Sequence, residues 1–170
     1  MEIKEFNSWL AYYLQQNEDE VIKLLEDKTA TQFLITWSLL ELACFQGYAR
    51  FDNLDKFATQ KSTDKNLTLS KLDEFIHFFH NRYQNDEYYK RLMHDKICEK
   101  MKMLRKKDFS EFSPSEKIYF AMVVIYRYRN NIFHGNKGVD SWLQYKTCIL
   151  YCIGMMQLLI SIPENGLHDN

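Results

Sequence analysis

Three residues able to handle a phosphate and a proton lie close together near the C-terminal end of the chain. They sit in the stretch Tyr126-Arg127-Tyr128-Arg129-Asn130-Asn131-Ile132-Phe133-His134-Gly135-Asn136-Lys137-Gly138. The guanidinium of Arg129 offers two parallel donors to a phosphate. His134 exchanges a proton near neutral pH, and a helix C-terminus favours its charged form. Asn130 is four residues before His134 and therefore shares its helix face, with Asn131 beside it as a supporting polar group. Gly135 and Gly138 keep the adjoining loop lean, so that a polymer can approach closely.

The element that must position these groups starts at Ser113-Pro114-Ser115-Glu116. Ser113 is suited to cap a helix, Pro114 to its first position, and Glu116 completes a capping box. Every residue from Ile118 to Tyr126 is apolar or aromatic, which predicts a central helix over 113–133, closed by Gly135. Ile118, Met122, Ile125, Arg129 and Ile132 form its heptad stripe, interrupted by Arg129. That guanidinium needs an anion, either Glu41 or a bound phosphate. Glu41 interrupts a second stripe, Leu34, Trp37, Cys44 and Tyr48, on a helix expected over 30–49. It either lies at the stripe's edge in water or is buried against a cation, since an unpaired buried carboxylate is costly.

Further helices are expected over 3–25, with the Asn17-Glu18-Asp19-Glu20 run a turn or an interruption, and over 70–83, 85–104 and 140–162. Residues 59–68 read as a loop. The helix over 85–104 turns a basic face outward, with Lys90, Lys96, Lys100, Arg105, Lys106 and Lys107. It reads either as a solvated surface or as a track for phosphates. His77 and His80 have no third ligand near them and read as surface or edge residues. Cys148 and Cys152, one turn apart, read as core residues, and no metal or cofactor is expected.

Composition sets the frame. A chain of 170 residues, 46% hydrophobic and 15% aromatic, has the size and content to bury one domain's core. Five Gly and two Pro leave little turn chemistry for many short strands, which points to an all-α bundle of about five to six helices. The net charge of −1 hides an asymmetry: residues 1–27 carry seven acids and two bases, residues 90–107 eight bases and two acids. The apolar run over 147–162 is short for a membrane span, and the N-terminus Met-Glu-Ile-Lys-Glu does not read as a signal peptide, so the expected location is cytoplasmic.

Arg129-Asn130-Asn131-Ile132-Phe133-His134-Gly135 resembles the signature of the HEPN superfamily: an arginine, a polar residue next to it, and a histidine after four to six residues. Arg127 meets the looser spacing to His134 as well. The resemblance implies an all-α bundle over 1–170, commonly a homodimer, and for many members a metal-independent endoribonuclease of toxin–antitoxin, antiviral or RNA-processing systems. Carried over, Arg129 and His134 form the catalytic pair and Asn130 orients them. RNA is then the substrate, with room for an antitoxin or regulatory partner; the alternative is a non-catalytic RNA- or nucleotide-binding module or a helical assembly module on the same bundle, in which Arg129 pairs with Glu41 and His134 merely caps. Members silenced by a partner nucleotidyltransferase carry Tyr two residues after the histidine. Asn136 stands there in this chain, so that mode of silencing is not expected.

Overall fold

A computed structural model describes residues 3–94, 96–133 and 144–160, and among them the chain is helical, with no strand. The α-helices run α1 (Ile3–Leu14), α2 (Glu18–Glu26), α3 (Thr29–Phe45), α4 (Leu54–Lys61), α5 (Leu69–Arg82), α6 (Asp86–Met93), α7 (Glu99–Lys106), α8 (Pro114–Phe133) and α9 (Lys146–Ile160). Single 3-10 turns at Phe51–Asn53 and Phe109–Glu111 lead into α4 and towards α8. The helical bundle is the expected class, divided more finely than the sequence suggests.

Each division has a local cause. Asn17 Oδ1 accepts the Glu20 N–H and starts α2 afresh, splitting the expected 3–25 helix. Asn85 caps α6 through the Glu87 and Tyr88 N–H groups, as its position suggests. The expected helix over 85–104 then breaks at His94, whose φ of 45° is left-handed, and resumes at Glu99. No glycine or proline marks that break. Residues 51–61, assigned no helix from the sequence, form a 3-10 turn and α4.

α8 is the axis of the molecule. Its capping box forms as expected: Glu116 N–H donates to Ser113 Oγ at 3.3 Å and Ser113 N–H to Glu116 Oε2 at 2.7 Å. From Ile118 to Ile125 every side chain is buried, because α4, α5, α6, α7 and α9 all pack around it. Cys148 and Cys152 of α9 are buried free thiols, as expected. α3 lies along α9, tied at one end by Lys146 Nζ to Asp27 (2.6 Å) and at the other by Cys44 Sγ near the Leu159 carbonyl (3.9 Å). Both helices therefore run the same way. α1 and α2 form an appended hairpin with its own small core of Leu10, Ala11 and Val21.

The other side of α3 stands in solvent. Ile35, Leu39 and Leu42 are 57%, 50% and 72% exposed, at helical spacing and with no charged residue between them except the half-buried Glu41 on another side. A helix apolar on all sides is ordinarily covered on all sides.

His80 corrects an expectation. It is buried rather than at the surface, ringed by Phe109, Phe112 and Phe120, and its Nε2 lies 3.1 Å from the Lys107 carbonyl. Burial lowers its pKa, with the hydrogen bond opposing. His77 is exposed, and no group of metal-ligating side chains forms among the described residues. Nor does any described helix have the length and apolarity to cross a membrane.

Candidate active site

The last two turns of α8 carry Tyr126, Arg127, Tyr128, Arg129, Asn130 and Asn131. Tyr128 faces the core and its hydroxyl accepts from Tyr83 at 3.3 Å. Tyr126 meets the edges of Trp37 and Phe51. These aromatic contacts fix the rotation of the helix end, and with it the direction in which the polar side chains emerge.

Arg129 is half-buried, its guanidinium 5.9 Å from the Trp37 ring centre. Its Nη1 donates to Asn130 Oδ1 at 3.0 Å. Two adjacent residues on a helix do not face each other, so the bond requires Arg129 to turn back across its neighbour. Asn130 is thus one hydrogen-bond partner of the guanidinium. Asn131 is buried, 3% exposed, and its Nδ2 has no hydrogen-bond partner among the described residues. His134 comes directly after the last residue of α8, and with Gly135, Asn136 and Gly138 it lies outside the described residues.

Glu41 does not pair with Arg129. Its Oε1 accepts the Ala49 N–H at 3.0 Å, across a turn in which Gln46 and Gly47 have φ of 55° and 98°. The reason is the register of α3. The stripe that enters the core is Phe33, Trp37 and Leu40, rotated from the expected one, so Glu41 lies at its edge and reaches back to the chain that leaves the helix. Of the two readings of Glu41, the edge position is the observed one, with a backbone donor in place of water.

The basic face also divides. Arg105 is buried, not a surface contact for RNA: its guanidinium pairs with Asp86, donates to the Gln84 carbonyl at 2.9 Å and covers the Tyr89 ring at 4.6 Å. Lys107 bonds both oxygens of Glu116 at 3.0 and 2.9 Å, and Lys100 pairs with Asp55. Those three hold helices together. Lys96 and Lys106 remain exposed, as do Lys90 and Lys102.

Arg127 is the group that sequence reasoning passed over. It is half-buried over the Phe51 ring at 5.0 Å, its Nε is buried with no acceptor, and it forms no ion pair among the described residues. Burial lowers its pKa, with Cys98, Tyr126, Tyr89 and Tyr119 acting in the opposite sense. The one signal for it in the sequence was its looser spacing to His134.

The chain matches no protein-family model, no curated protein and no solved structure.

Proposed function

We propose that the chain is an endoribonuclease of HEPN type, cleaving RNA by attack of a ribose 2′-OH without a metal, with Arg129 and His134 as its catalytic pair. The observation that carries this reading is the Arg129 Nη1 to Asn130 Oδ1 bond at the end of α8. It supports an orienting part for Asn130, the polar residue of the motif, beside an arginine that is close in sequence to His134.

The chemistry sets the roles. A base takes the 2′-OH proton as that oxygen attacks phosphorus, and an acid protonates the departing 5′-oxygen. The bond formed is 2′-O to P and the bond broken is P to 5′-O, leaving a 2′,3′-cyclic phosphate and a 5′-OH. Positive charge from Arg129 stabilises the phosphorane between. One histidine per chain serves both proton transfers poorly, so we propose a homodimer in which two copies of Arg129 and His134 share a cleft.

The test is a ribonuclease assay in EDTA comparing the native protein with His134→Ala. Cleavage by the native protein and loss of about 10²-fold or more in the variant is the expected result. RNA bound and left intact by the native protein would make the chain a binding module instead, and activity abolished by EDTA would require a metal.

A further inference from the structure

The break between α6 and α7 opens a groove of about 290 Å³ lined by Tyr89, Lys90, Met93, Lys96, Ile97 and Lys102, with Cys98 and Glu99 at the start of α7. Among its described lining residues are three lysines and one glutamate. Lys90 and Lys96 form no ion pair among the described residues, and Glu99 meets only Lys102, at 3.8 Å on an exposed face, a contact of little worth in water. The groove's accessible apolar surface is Ile97, 85% exposed, an isoleucine standing in water between lysines, while Met93 is buried. Cys98 gives α7 no side-chain cap, so the positive end of that helix adds to the same side.

Arg127, half-buried over the Phe51 ring at 5.0 Å, does not line the groove, and it leaves α8 on a different side from Arg129, two residues on.

We propose that the α6–α7 groove binds a single-stranded RNA outside the scissile linkage. Lys90, Lys96 and Lys102 track the phosphates, and one base rests on Ile97. This rests on the ribonuclease reading in calling the strand a substrate; the groove's lysines and exposed isoleucine stand without it. Lysines alone would suit any polyanion. An apolar seat between them selects for a strand whose bases are unstacked and free to lie on it.

The experiment is fluorescence anisotropy with a labelled 2′-O-methyl oligoribonucleotide, which lacks the nucleophile and stays intact. The native protein is compared with the Lys90→Ala/Lys96→Ala/Lys102→Ala variant and with a control carrying the same charge change at exposed lysines elsewhere, Lys23→Ala/Lys65→Ala/Lys71→Ala. The groove variant is expected to weaken binding at least about 10-fold, and to reduce the slope of log K against log salt by about 2, at roughly 0.7 for each phosphate contact on a single strand. The control keeps native affinity. Native affinity in the groove variant, an equal loss in the control, displacement of the strand by polyglutamate as effectively as by RNA, or no binding by the native protein would each overturn the assignment. Cleavage of ordinary RNA with no groove dependence of binding would leave the ribonuclease standing without this site. Groove-dependent binding with no cleavage would leave the site standing without the ribonuclease.

Discussion

Glu41 sets the path of the backbone that leaves α3. Its carboxylate holds the Ala49 N–H, and Ala49 is itself buried, so Glu41→Ala leaves a backbone donor without its acceptor. Loss of a hydrogen bond to a charged group is expected to cost about 1.5–3 kcal/mol, measured by urea denaturation. Glu41→Gln retains an acceptor oxygen and most of the stability. Arg129→Met is expected not to rescue Glu41→Ala, since the two do not pair; full recovery in the double variant would show that they do. Arg129 itself is expected to tolerate no substitute in catalysis, Arg129→Lys included, because a point charge lacks the planar two-point hold on a phosphate. That Arg129 and Asn130 belong together was legible in their adjacency. That Glu41 serves the backbone was not, because the choice turns on the register of α3, and Phe33, Trp37 and Leu40 fit a heptad as well as Leu34, Trp37 and Cys44 do.

Packing between helices carries two predictions. Gly154 lets α9 approach α5: a Cβ there would come 2.7 Å from Phe75 Cζ. Gly154→Ala gains about 1 kcal/mol of helix propensity and loses about 1–3 kcal/mol to overpacking, so a net destabilisation near 1 kcal/mol is expected from denaturant midpoints. Phe75→Leu in the same chain should relieve it. His80 predicts a pH dependence. Its folded pKa is below the unfolded value of about 6.5, so the unfolded chain binds the proton more readily. Its contribution to stability is complete above that value and is lost as pH falls towards the folded pKa. Melting temperature should fall from pH 7 to pH 5, and less steeply in His80→Gln. Below pH 4 a second loss is expected from Asp27, whose carboxyl the Lys146 ammonium holds down to about 2. The capped starts of α6 and α8 were legible, since Asn85 and Ser113-Pro114-Ser115-Glu116 state them locally. The break at His94 was not: a left-handed residue other than glycine is imposed by the packing of the two helices on α8, and it is this break that opens the groove.

Among the described residues, the basic groove and the uncharged side of α3 are surfaces that ask for company. Ile35, Leu39 and Leu42 lie on the side of α3 away from Trp37, and Trp37 is the side that meets Arg129. A dimer formed through that surface alone would keep the two Arg129 groups apart. The shared-cleft proposal instead needs the ends of the two α8 helices to meet. Sedimentation at micromolar concentration is expected to give a dimer for the native protein. Leu39→Glu should leave both the dimer and the cleavage intact if the α8 ends form the contact. If it yields an active monomer, each chain works alone and the shared cleft is wrong. The all-α class and the central place of α8 were legible in the scarcity of Gly and Pro and in the unbroken apolar run of 118–126. How copies meet depends on surfaces, where hydrophobic periodicity carries little information.

Replacing one atom of the substrate probes the proposed nucleophile itself. An RNA cut by the native protein at a known linkage is resynthesised with hydrogen in place of the 2′-OH on the 5′ side of that linkage, and both are incubated with the protein in EDTA. A 2′,3′-cyclic phosphate and a 5′-OH are expected from the first, and no cleavage at that linkage in the second. Cleavage of the deoxy-substituted linkage would contradict the mechanism, because the oxygen assigned as nucleophile would be absent.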